Sequence, residues 1–261
     1  EQDALYVTVS SADTPVAAVV RTITMDGLTS KGSDYAVPNN VSAKTLAING
    51  LSEGDDVNLY VYPSQQADVT VSWTDGTGTK NTNQQTLEAN RVSVIDLGSV
   101  PKSATGLTIS ATEPVTAAAK VTNDGDGDQA DFALVNASVP MNVSAIAVPD
   151  HATAQVSVTN TSDDDRTATL TSYNGDGDIV EQSDLTIRAG ASTTIELADI
   201  NDGDVAAVSL ADPDQSMVWN IRVSQKDVSD AKLAGVSIIG ATDLKEAREQ
   251  VWSNQNMTIV R

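Results

Sequence analysis

Residues 106–122 read GLTISATEPVTAAAKVT. Apolar and polar side chains alternate on both sides of Pro114, the period of a strand with one buried face. The arrangement of alternating strand, Pro-containing turn and second alternating strand recurs at 4–21 (ALYVTVSSADTPVAAVVR) and at 207–224 (AVSLADPDQSMVWNIRVS). Pro15, Pro114 and Pro213 mark the three turns. Val16, Ala18 and Val20 match Val115, Ala117 and Ala119, then Met217, Trp219 and Ile221. Each second strand carries a basic residue: Arg21, Lys120 and Arg222. After a polar linker an apolar strand resumes, as DYAV at 34–37 and DFALV at 131–135.

Working outward, VTVSWTDGTG at 69–78 matches ATLTSYNGDG at 168–177, and LEANRVSVIDL at 87–97 matches IRAGASTTIEL at 187–197. The repeat is about 100 residues long, the size of a whole domain. Within the second copy, strands are expected near 132–137, 143–148, 155–160, 167–173, 179–187, 192–198, 205–210 and 217–224. Asp75-Gly76, Asn174-Gly175 and Asp202-Gly203 supply the positive φ of tight hairpins. Such spacing of strands and turns describes a sandwich. The expected fold is all-β: two tandem antiparallel β-sandwiches, residues 1–125 (including hairpin 4–21) and 126–261, with one short C-terminal helix. That helix is TDLKEAREQV, Thr242 to Val251, with Thr242 as its cap. A final strand is expected at 256–261.

The hairpin 4–21 is one copy more than two units need. Either the chain begins inside a longer repeat array, or the hairpin completes the first sandwich in permuted fashion. An isolated hairpin is marginally stable, which favours the permuted arrangement.

Composition agrees with thin sheet-on-sheet cores. Apolar residues make up 40% of the 261, aromatic residues 3%, and Phe132 is the single phenylalanine. With 36 acidic against 15 basic residues the net charge is -21. Binding to phosphate backbones needs Lys and Arg, so nucleic acid is not an expected partner, and neither is an anionic membrane surface. The lack of cysteine excludes disulfides and thiolate chemistry.

The run VTNTSDDDRTATLTSYNGDGDIVEQSDLTIRAGASTTIEL at 158–197 resembles bacterial extracellular immunoglobulin-like modules: a strand ending in Asn, a polar turn, a strand, a Gly-containing hairpin and a further strand. In texture and repeat order the whole chain resembles an uncharacterised family of actinobacterial exported, cell-surface proteins. These resemblances imply an immunoglobulin-like sandwich and an extracellular location, anchored through a segment outside these residues. They bring no catalytic residues.

Several runs invite chemistry, and each also has a structural role open to it. Asp124, Asp126 and Asp128 alternate with glycines, a spacing that can wrap oxygens around Ca²⁺. Counted from Asp124, a full calcium loop needs Gly sixth and Glu twelfth; Gln129 and Val135 stand there. Asn174-Gly175-Asp176-Gly177-Asp178 is a shorter version, and in both places Asp and Gly also serve as turn formers. His151 is the single histidine and has no nucleophile elbow to serve. Trp73 and Trp219 lie in alternating strands and read as core anchors; Trp252 is the candidate exposed ring. The basic triplet reads as a polar-face strand position rather than a ligand site. The expected function is a non-catalytic structural or adhesion module, in contact with other envelope proteins or glycans. The alternative is a carbohydrate- or calcium-binding module of a larger envelope protein.

Overall fold

A computed structural model describes residues 7–9, 18–123, 131–149, 153–200, 204–225 and 235–244. The described residues are nearly all strand, as the period-two patterning requires. β1 (Val20–Asp26) and β2 (Thr29–Ala36) form a separate two-stranded hairpin. The first sandwich comes next: β3 (Ala43–Asn49), β4 (Asp56–Pro63), β5 (Ala67–Asp75), β6 (Gly78–Leu87), β7 (Ser93–Ser99), β8 (Gly106–Thr122) and β9 (Phe132–Asn136). The second holds β10 (Val143–Ala147), β11 (Thr153–Asn160), β12 (Arg166–Tyr173), β13 (Ile179–Ile187), β14 (Ser192–Glu196), β15 (Ala207–Ala211), β16 (Met217–Gln225), β17 (Gly235–Gly240) and β18 (Thr242–Asp243). A 3-10 turn covers Leu197–Asp199.

β8 organises the first sandwich. Its first part pairs with β3 and β5, and its last part, from Val115 on, with β4 and β9. One 17-residue strand thus leaves one sheet and enters the other, a corner made by bending. The two layers are β6-β5-β8-β3 and β7-β4-β8-β9. The second sandwich repeats this plan as β13-β12-β15-β10 and β14-β11-β16-β17. Here the corner is a turn, and β15 and β16 are separate strands. The Pro-containing turn expected in every copy therefore exists at Pro213 but not at Pro114, where the chain stays extended.

Inward positions build each core. Leu59, Val61, Val71, Ile109, Ala117 and Ala119 fill the first, and Val156, Val158, Leu170, Leu210, Trp219 and Ile221 the second. Trp73 and Trp219 are buried, as their alternation predicts, and Trp219 Nε1 donates to Ser144 Oγ at 2.7 Å.

Two boundaries differ from the sequence reading. The division at 125/126 separates β8 from β9, yet these strands pair and Ala133 and Val135 lie in the first core. Apolar strand DFALV thus closes the unit before it instead of opening the next. At the other end, Thr242 and Asp243 pair with Ala145 and Ser144 as β18, and helical backbone begins only at Leu244, two residues later than expected. The rest of the expected helix and the strand at 256–261 lie outside the described residues, as does most of hairpin 4–21. Where 18–21 are described, they lead into β1, which pairs with β2 and not with the first sandwich.

Candidate functional site

The residues with the most specific polar geometry lie where the two sandwiches meet. Alternation in β16 creates this site. Trp219 and Ile221 point into the second core, so Val218, Asn220 and Arg222 point outward, towards the end of β3. All three are largely or wholly buried there, with Arg222 at 12% side-chain exposure.

Asn49, the last residue of β3, engages the second sandwich with three groups. Its N–H donates to Asn220 Oδ1 at 3.0 Å, its Nδ2 to the Val218 carbonyl at 2.9 Å, and its Oδ1 accepts from Thr159 Oγ1. Gly50 is next, with φ +81°, and a Cβ there would stand 3.2 Å from Ile238 Cγ2. Only glycine suits both the turn and the approach of the second sandwich. Beyond it, Asp55 meets Arg222 in a two-point ion pair, Nη1–Oδ2 2.6 Å and Nη2–Oδ1 3.0 Å. Arg222 Nη1 also donates to the Gly50 carbonyl at 3.0 Å. The carboxylate is 2% exposed and accepts in addition from Ser52 N–H at 2.9 Å. Buried charges persist when geometry and hydrogen bonding satisfy them, and losing one partner is strongly destabilising.

Further contacts flank this centre. Thr105 and Ser192 hydroxyls lie 2.7 Å apart. Asp131 Oδ2 accepts from Val236 N–H at 3.2 Å, and Val236 and Ile238 of the second sandwich pack into the first core. At the β5–β6 turn, Asp75 accepts from the hydroxyl and the N–H of Thr77, which holds its carboxyl below the usual range. On the outer face of β4, burial pushes the Tyr60 phenol above its ordinary pKa. A cleft of about 600 Å³ runs along the linker before β10, lined by Val139, Pro140, Met141, Gln215 and Thr242, with Asp243 the one ionisable residue among the described residues of its lining.

Of the residues singled out from sequence, Asp124, Asp126, Asp128, His151 and Trp252 lie outside the described residues. Asn123 and Asp131, which flank the acidic run, bond to each other through Asp131 N–H to Asn123 Oδ1 at 2.7 Å. In the shorter run, Asn174 Oδ1 accepts from Asp176 and Asp178 N–H, so this segment is a side-chain-closed turn. Among the described residues no three His, Cys, Asp or Glu side chains group to hold a metal ion. Among them also no helix is long and apolar enough to cross a membrane. The basic triplet separates: Arg21 lies over the Tyr35 ring, Lys120 over the Phe132 ring at 4.5 Å, and Arg222 in the junction. Sequence reasoning missed Asn49 and Asp55. Asn49-Gly50 is a turn signal, but nothing in it distinguishes a solvated turn from a buried one, and Asp55 is one of 36 acidic residues.

Comparison with known proteins adds a family. No curated protein matches. Among solved structures, one titled "Crystal structure of PBSX exported protein XepA" is similar at 11% identity and a TM-score of 0.25, over 72% of this chain and 88% of that one. The pattern of a family of unknown function (DUF5719) matches residues 1–198, from ahead of β1 through β14. That match runs through the whole first sandwich and across the Asn49 and Asp55 side of the junction, and the chain belongs to this family of unknown function.

Proposed function

We propose that this chain is a non-catalytic structural module of a bacterial cell-surface protein, a stiff spacer that fixes the distance and orientation between the parts it joins. The observation that carries this reading is the Asp55–Arg222 pair with Asn49 beside it. A flexible tether leaves two domains with solvated, replaceable contacts. Here a buried charge and a buried amide are satisfied only in one relative position of the sandwiches, so departure from it exposes unpaired groups. Repeat proteins propagate stiffness through such nearest-neighbour interfaces. The extracellular location is supported by the composition rich in Thr, Ser, Asp, Asn and Val and by the resemblance to exported immunoglobulin-like modules.

The absence of cysteine makes the test direct. Spin labels on single cysteines introduced at the exposed positions Lys102 and Asp176 give the distance between sandwiches by pulsed electron resonance. A single narrow distribution is expected; a broad or two-peaked one overturns the spacer reading. Labelling of intact cells with a membrane-impermeant amine reagent tests the location. Calorimetric titration with Ca²⁺ tests the alternative of a calcium-binding module: heat that disappears in Asp126→Asn would favour it.

A further inference from the structure

The two sandwiches show what covers each strand of the unit, and among the described residues the N-terminal hairpin presents the same strands without that cover. β1–β2 has the register of β8–β9 and β16–β17. Arg21 lies opposite Tyr35, Lys120 opposite Leu134 and Arg222 opposite Ile238. In each sandwich the strand with the basic residue has a second neighbour, β4 or β11. Among the described residues β1 pairs with β2 alone. The consequence shows one residue before the basic position: Ala119 is 1% exposed, whereas Val20 is 58% exposed.

A second observation comes from the outer faces. Ser157 and Thr159 of β11 face sandwich one and are wholly buried. Tyr60 and Tyr62 hold the same register positions on β4, opposite Ala118 and Thr116 as Ser157 and Thr159 lie opposite Asn220 and Val218. These tyrosines are only partly covered, and Val94 opposite Tyr60 is exposed. A third observation is a similar contact. Asp34 Oδ2 accepts from Leu134 N–H at 2.6 Å, and Asp131 Oδ2 accepts from Val236 N–H at 3.2 Å, a contact of the same kind displaced by two residues along both strands. β2 lies against β9 and β9 against β17, so the junction between sandwiches is already begun on the N-terminal side.

We propose that β1–β2 is the last hairpin of a further sandwich of this repeat. The remaining strands of that sandwich dock on the free edge of β1, and its body covers Tyr60 and Tyr62 as sandwich one covers Ser157 and Thr159. The strand accepted by β1 runs antiparallel and presents alternate small apolar residues to Val20, in the manner of Val57, Leu59 and Val61 of β4. Charge permits the approach: residues 18–37 carry Arg21 and Lys31 against Asp26 and Asp34, a neutral segment in a chain of net charge -21. The inference rests on the spacer reading in that it names what the spacer joins. The two fail separately, because the label distances report the junction of sandwiches one and two, whereas hydrogen exchange in 18–37 reports β1.

A copy of residues 40–113, which spans β3 to the corner of β8, replaces residues 1–14 ahead of Pro15. Hydrogen exchange is then monitored by mass spectrometry in peptides from 18–37, which occur once in the extended chain. Amides of Val20–Asp26 are expected to exchange at least about tenfold more slowly than in the unextended chain. Val20→Asp is expected to erase that slowing while leaving exchange in β16 unchanged. Unchanged exchange in the extended chain overturns the proposal whether or not the added residues become protected, because completing that copy is the role assigned to β1–β2. Sedimentation of the unextended chain is the second measurement. A monomer is expected; a dimer that Val20→Asp dissociates makes a second copy the occupant and overturns the proposal.

Discussion

The two sandwiches share a strand plan but turn the same corner differently. In the first, β8 runs unbroken through 106–122; in the second, β15 stops at Ala211 and β16 starts at Met217. The pairing before and after the corner is the same, so the difference is local. Asp212 is wholly buried, and its Oδ2 accepts from the N–H of Ser216 and of Met217, each at 2.6 Å. Gln215 takes a φ of +49° to close the turn. The corner of the first sandwich has Thr112 instead, whose Oγ1 accepts from Asp68 N–H at 3.0 Å and holds the strand extended. Outer faces differ as well: tyrosines on β4, Ser157 and Thr159 on β11. Inward positions follow the fold, and corners and outer faces follow what each sandwich touches.

The largest effect should come from the junction, which the second sandwich fills with Arg222 and the first with Asp55. Arg222→Ala or Asp55→Ala leaves a buried charge without its partner, at a cost of about 3–5 kcal/mol. Replacing both together by Met and Leu should recover most of that loss. Calorimetry is expected to show the sandwiches melting in one transition in the parent chain and in two in either single variant. A cost below about 1 kcal/mol would mean the pair behaves as a solvated surface bridge.

Next in size is the corner itself. Asp212→Ala removes the acceptor from two buried N–H groups, each left unsatisfied at about 1–3 kcal/mol. Thr112→Ala in the first sandwich should cost less than half as much in the same urea titration, since its contact is exposed. Equal costs would show that the bent strand depends on its corner side chain as much as the turn does.

A smaller effect separates the sandwiches at one residue. Asn49 lies opposite Gly106, and in the second sandwich Ala147 lies opposite Ala207. A Cβ on Gly106 would run into Asn49 Oδ1, 2.8 Å from the Ile48 carbonyl oxygen and 3.0 Å from Thr74 Oγ1. Gly106→Ala should cost about 1–3 kcal/mol and weaken the junction through Asn49. Ala207→Gly is expected to cost about 1 kcal/mol at most.

Much of this fold was legible because it lies in the period of two. Trp219, Ile221, Val156 and Val158 announce themselves as one face of a strand, and eight expected strands, 132–137 to 217–224, coincide with β9–β16. Pairing across the repeat was less legible. DFALV reads equally well as the end of one unit or the start of the next, because alternation marks a buried face and not its partner. The junction was illegible for a related reason: Arg222 stands on the polar face of its strand, and only the presence of sandwich one turns that face into a buried one. GVSII at 235–239 repeats the closing strand, yet its glycine and serine obscure the match with DYAV and DFALV.

The smallest expected effect is on Tyr60. Its pKa is raised because burial penalises the phenolate. By linkage, a raised folded-state pKa gives stability that is complete below the unfolded value of about 10 and is lost as pH rises through the folded value. Absorbance at 295 nm should therefore show Tyr60 ionising above its ordinary range, and Tyr60→Phe should remove that late step. Ser157, in the same register position of the second sandwich, has nothing to titrate, so alkaline weakening should begin in sandwich one. Docking a further sandwich over Tyr60 would deepen its burial and move the step later still. The titration thus reads how far the two outer faces differ, and whether that difference disappears once the first sandwich gains the neighbour that the second already has.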